Sequence, residues 1–129
     1  KNKLFKVSRI GRVEMLATSW ENEEFHQGGY TDVFHNSSDK RLPIKLRLGM
    51  SAANLLAEEY PLAEQFMKKD DDNPWLFETE VCRYEGVARF VMGLMEDIDV
   101  LESPEFKTFL QEKLQKIANK RLIKANFAL

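Results

Sequence analysis

The clearest pattern in the chain is strict alternation. Leu42, Ile44, Leu46 and Leu48 are apolar, with Lys45 and Arg47 charged between them. That period of two predicts a half-buried strand over residues 42–48. Pro43 lies near its start, where proline is tolerated, and Gly49 ends it. Ser51 is placed to cap a helix beginning at Ala52; Leu55, Leu56, Tyr60 and Leu62 supply its apolar side and Pro61 stops it.

Residues 63–69 and 75–82 flank Asp70-Asp71-Asp72-Asn73-Pro74, which is turn chemistry, so the pair predicts a β-hairpin. Trp75, Phe77, Thr79 and Val81 share one face of its second strand, and Leu76, Glu78 and Glu80 the other. Over residues 84–95 the spacing of Val87, Phe90, Val91, Leu94 and Met95 predicts one helix face turned to a sheet. Gly86 and Gly93 weaken helix propensity, which implies close packing or a turn near Gly93. Ile98, Val100 and Leu101 make a short strand. Ser103-Pro104-Glu105 then starts a last helix, with Ser103 as cap, Pro104 at the first helical position and Phe106, Phe109, Leu110, Leu114 and Ile117 as its stripe. Residues 119–129 lose the period, which leaves open whether they continue the helix, fray or dock elsewhere.

From residue 42 this order is strand, helix, strand, strand, helix, strand and an extra helix. It predicts an α+β domain: a ferredoxin-like βαββαβ unit, residues 42–129, with an added C-terminal helix. The sheet is expected to be antiparallel with two helices on one face. Lys45, Arg47, Glu78 and Glu80 then share the helix-free face, which must meet solvent, the N-terminal piece or a partner chain.

The first 41 residues are less regular. Residues 4–8 alternate and Gly11 breaks the pattern; Val13 and Met15 then alternate with Arg12, Glu14 and Leu16. Two strands over residues 1–20, with a bend or bulge at Ile10-Gly11, are the simplest reading. Two strands alone are marginal in water, so they need a partner sheet. Residues 21–41 predict a connector with one short helical turn, its aromatics Phe25, Tyr30 and Phe34 pinning it to a surface.

Composition narrows the function classes. With 129 residues, 43% hydrophobic and 31% charged, the chain has the make-up of one globular domain. A net charge of −2 excludes a nucleic-acid polycation, although basic residues gather near both ends and acids in the middle. Cys82 is the single cysteine, so no internal disulfide forms, which fits a cytoplasmic protein. No long apolar run or signal peptide points to a membrane or to export. The first residue is Lys1, and residues 1–20 read as the tail of something larger.

Candidate chemistry is sparse. His26 and His35 have no nearby third ligand, so loop histidines are a better account than a metal site. The aspartate run lacks the glycine and bidentate glutamate of a calcium loop. Cys82 beside Arg83 reads as a packed small hydrophobe before a reactive thiol. No nucleophile, base and orienting group come together, and the expectation is a protein that is not an enzyme and needs no cofactor.

Two stretches resemble the WYL-domain family of bacterial transcriptional regulators. Phe5-Lys6-Val7-Ser8-Arg9-Ile10 is similar to the closing motif of the WYL barrel, an aromatic-x-aliphatic-x-Arg-Ile run followed by another strand. Residues 89–104, an apolar helix end, a glycine-containing turn, a short aliphatic strand and Pro104, resemble the C-terminal extension of that family. Residues 44–48 fit that extension's first strand and residues 30–34 its connector. The family's turn has two glycines two apart. Here the first is Gly93 but the second position is Met95, which predicts a less tight turn without left-handed backbone at Met95.

The resemblance implies that residues 1–20 are the last strands of an incomplete, Sm-like WYL barrel, 21–41 a connector and 42–129 the extension. It implies a ligand-sensing and oligomerisation module, with DNA bound by a winged-helix domain upstream, and a homodimer. The expected ligand is single-stranded nucleic acid or a nucleotide-type molecule. Arg9 lies on the motif position, where a guanidinium can fork onto a phosphate. Lys45 and Arg47 are further candidates from the exposed sheet face, with Glu78 and Glu80 on that face opposing them. The other reading is a purely structural dimerisation domain with no ligand contact.

Overall fold

Leu42–Leu48 forms the strand on which the sheet is laid. In the computed structural model, which describes residues 5–25, 29–69, 71 and 75–120, it is the third strand in order. The elements are β1 (Tyr30–Thr31), β2 (Ser37–Ser38), β3 (Leu42–Leu48), α1 (Met50–Glu59), β4 (Met67–Lys68), β5 (Trp75–Val81), α2 (Tyr84–Gly93), β6 (Ile98–Leu101) and α3 (Pro104–Ala118). The main sheet has the order β4-β5-β3-β6, and every neighbouring pair is antiparallel. With α1 and α2 as crossovers, this is the ferredoxin-like arrangement expected from the element order.

Alternation along β3 and β5 builds the core. Ile44, Leu46 and Leu48 point inward beside Phe77, Thr79 and Val81, and all six are buried. Leu56 of α1, Val87 and Val91 of α2 and Phe106 of α3 close over them. Each such apolar side chain stabilises the fold by roughly 1.5–3 kcal/mol on burial. Pro43 is tolerated because β6 pairs with β3 only from Lys45 onward, leaving one side of Pro43 without a strand.

Several local expectations are corrected. The first concerns residues 5–25, which contain no strand. All of them are exposed, Val7–Arg9 forms a 3-10 turn, and the amide of Ile10 donates to the carbonyl of Val7 at 3.0 Å. Alternation marks faces but supplies no ladder partner. Without a partner strand the backbone groups turn to local bonds and water.

The second is the hairpin's first strand, which shrinks to Met67–Lys68 because Pro61–Phe66 forms a 3-10 helix with Ala63 buried beneath it. The turn residues Asp70 and 72–74 lie outside the described residues. The third is the start of α1. The helix begins at Met50, and Gly49 rather than Ser51 takes the N-cap position.

The connector is more ordered than its sequence suggests. It carries a 3-10 turn at Glu23–Phe25 and a miniature hairpin, with Tyr30 opposite Ser38 and Thr31 opposite Ser37. Between β1 and β2, Asp32 accepts from the amides of Phe34 and Asn36, each at 2.9 Å, and His35 takes φ 66°. This turn drops Phe34 into the core, where its ring meets Tyr60 edge-on at 4.9 Å and Phe77 at 6.4 Å. Gly86 of α2 lies against that ring: a Cβ there would approach the Phe34 Cβ to 3.0 Å. Close packing therefore explains this glycine. Phe25 is exposed, so it does not pin the connector.

At the far end of α2 the turn is a 3-10 turn over Met95–Asp97, without positive φ at Met95 or Gly93. Ser103 takes the N-cap position of α3 but its side chain makes no cap bond. Its hydroxyl donates to the Leu101 carbonyl at 3.0 Å, while Pro104 opens the helix as expected. Residues 121–129 lie outside the described residues.

Candidate functional site: the helix-free sheet face

The outward positions of the sheet hold the candidate residues. Lys45 stands opposite Glu78 of β5 and Leu101 of β6, and Arg47 opposite Leu76 and Asp99. The two β3 cations are thus central, with carboxylates on the strands to either side. The Lys45 ammonium lies 3.4 Å from Glu102, and an Arg47 Nη lies 3.7 Å from Asp99. At the edge of the face the Arg41 Nε lies 3.7 Å from Glu80. Arg41 also stacks over the Tyr30 ring, 4.1 Å from its centroid, while the Tyr30 hydroxyl donates to the Glu80 carbonyl at 2.8 Å.

Charge on this face nearly cancels. Arg41, Lys45, Arg47 and Lys68 are met by Glu78, Glu80, Asp99 and Glu102. The ion pairs are long and partly exposed, a class that contributes about 0–1 kcal/mol each. They hold the cations in place and cost little to exchange for another anion. Arg47 keeps a further donor: its Nε is buried and has no hydrogen-bond partner among the described residues.

The structure brings Lys45 and Arg47 together on β3 and does not join Arg9 to them. Arg9 is exposed on the 3-10 turn Val7–Arg9, and no ion pair involves it among the described residues. His35 is exposed, with its ring 5.9 Å from that of Tyr60, and His26 lies outside the described residues. Among the described residues no three His, Cys, Asp or Glu side chains come together as metal ligands. No helix among them is long and apolar enough to cross a membrane. Cys82 lies just beyond β5, buried, with its thiol donating to the Tyr30 carbonyl at 3.3 Å.

Two carboxylates that sequence reasoning passed over organise the surroundings. Asp32 is buried, and its second oxygen accepts the Cys82 amide at 2.8 Å, tying the connector to the end of β5. Asp97 accepts the Ala52 amide at 2.8 Å and so caps α1 from another part of the chain. The only sequence hint for Asp32 was its place two residues before Phe34, the spacing of an Asx turn.

Beside the sheet, Tyr84 packs between Phe106 and Phe109, with ring centroids at 5.2 and 5.5 Å. Burial, together with the charge and hydrogen bond of Glu105, holds the Tyr84 phenol above its ordinary titration range.

The model of the WCX domain family matches residues 40–118 of this chain, the span from the end of the connector to the end of α3. No curated protein and no solved structure matches it.

Proposed function

The chain belongs to the WCX domain family, the C-terminal extension of WYL-type regulators, and from that membership we propose that it is a ligand-sensing and oligomerisation module of a bacterial, cytoplasmic transcriptional regulator, not an enzyme. The observation that carries the reading is the family match across the whole ferredoxin-like unit. In this reading DNA is bound by an upstream winged-helix domain, the module forms a homodimer, and Arg9, Lys45 and Arg47 contact a nucleotide-type or single-stranded ligand. The exchangeable, partly exposed ion pairs of β3 support an anionic group at that position.

The test is fluorescence anisotropy with a short labelled single-stranded oligonucleotide and with a mononucleotide, across a salt series. Binding that weakens steeply with salt and is lost in Arg9→Ala or in the Lys45→Ala/Arg47→Ala pair is the expected result. Binding by neither ligand, with a dimer in sedimentation, would leave a purely structural dimerisation domain. One observation favours that second reading: the near cancellation of charge on the helix-free face weakens its pull on a polyanion.

A further inference from the structure

A second site lies in the helix layer and does not depend on the regulator reading. α2 and α3 meet where the Tyr84 ring touches Phe106 and Phe109. Further along both helices a groove of about 350 Å³ opens between them, lined by Glu85, Arg89 and Met92 of α2 and Lys113, Lys116 and Ile117 of α3. Its volume falls at the low end of the roughly 300–1,000 Å³ typical of small-molecule sites.

The lining divides by chemistry. Met92 and Ile117 are half-buried, and Met92 packs on the core, so the floor is apolar. The rim carries three cations against one carboxylate. Among the described residues none of Arg89, Lys113 and Lys116 has an ion pair. Even Glu85, one helical turn before Arg89, is not within salt-bridge distance of it. Lys113 instead lies over the Phe109 ring, 5.4 Å from its centroid, which holds its ammonium at the groove wall. The helix-free face shows the contrasting case, where each β3 cation is matched by a carboxylate.

We propose that this groove binds a small amphiphilic anion, an acidic head on a short apolar body. The head meets Arg89, Lys113 and Lys116, and the body lies on Met92 and Ile117. The chain's own last residues, 121–129, carry Arg121 and Lys124 and no acid, so their charge does not complement the rim. An extended polyanion would use the cations but leave the apolar floor unfilled.

The test uses the isotope-labelled chain and amide chemical shifts, with decanoate, 1-decanol, acetate and an oligothymidylate as separate probes. Decanoate is expected to shift the amides of residues 85–93 and 113–117 saturably. Decanol and acetate should each bind at least about tenfold more weakly, because each lacks one half of the interaction. Lys113→Glu with Lys116→Glu should weaken decanoate by about tenfold or more, with an otherwise native spectrum showing the fold intact. Met92→Gln should weaken decanoate while leaving acetate unchanged. Shifts elsewhere or none, decanol binding equal to decanoate, or charge reversal without effect would overturn the proposal. So would an oligothymidylate that shifts the same amides at lower concentration than decanoate.

Discussion

Asp97 caps α1, and Gly49 makes the room for it. The Asp97 carboxylate accepts the Ala52 amide at 2.8 Å, and its carbonyl accepts the Gly49 amide at 2.9 Å. A Cβ at position 49 would overlap that carboxylate. Asp97→Ala should therefore cost about 1–2 kcal/mol, the range of a lost N-cap. Gly49→Ala should cost about 1–3 kcal/mol through the overlap. The two losses should not add, because removing the Asp97 carboxylate removes what the new methyl strikes. Urea unfolding of both single variants and the double variant checks all three statements.

Gly86 offers a test in which two effects oppose each other. Alanine is favoured over glycine by up to about 1 kcal/mol within a helix, and Gly86 is the third residue of α2. Here the new methyl would meet the Phe34 Cβ at 3.0 Å and the Asn36 amide nitrogen at 2.9 Å. The Asn36 side chain can swing away, but Phe34 is fixed in the core by its ring contacts. Gly86→Ala is expected to lower stability by about 1 kcal/mol in thermal unfolding, packing outweighing propensity.

The ion pair between Arg47 and Asp99 should matter little to folding. A double-mutant cycle on Arg47→Ala and Asp99→Ala is expected to give a coupling below about 1 kcal/mol, shrinking further as salt is added. A large, salt-insensitive coupling would mean that the β3 cations are fixed structural groups rather than exchangeable contacts.

Tyr84 sets a pH dependence in the alkaline range. Its phenol titrates above the ordinary value of 10.0 in the folded chain, through burial first and then Glu105. An acid whose folded titration point is raised keeps its proton more tightly when folded. The stability it lends is fully present below the ordinary tyrosine value and is lost as pH rises through the raised one. Unfolding curves taken at and above pH 10 should show that loss, and Tyr84→Phe should remove it. Glu105→Gln should make it smaller.

The parts of this fold that were legible in the sequence are those written locally. Alternation placed Ile44, Leu46 and Leu48 inward and Lys45 and Arg47 outward, and a helical stripe placed Val87, Phe90 and Val91 in the core. The same alternation misled over residues 5–16, because a period of two encodes faces and is silent about a partner strand. The tie from Asp32 to the Cys82 amide and the cap from Asp97 to the Ala52 amide escaped notice because those partners lie 50 and 45 residues away. A capping reading limited to neighbours settles on Ser51 and Ser103, whose side chains do not cap. For the candidate site, the sequence placed Glu78 and Glu80 beside the cations. The closer partners, Asp99 and Glu102, emerge only once the register of β6 against β3 is known.

The miniature hairpin has a mechanical meaning. Three hydrogen bonds tie it to one short stretch: Tyr30 to the Glu80 carbonyl, Cys82 to the Tyr30 carbonyl, and the Cys82 amide to Asp32. All three attach to residues 80–82, at one end of a central strand. A pull on the chain ahead of residue 29 is shared among these bonds before it reaches the sheet ladder. The hairpin thus works as a rivet, fastening the segment that precedes it to the end of β5 at three points.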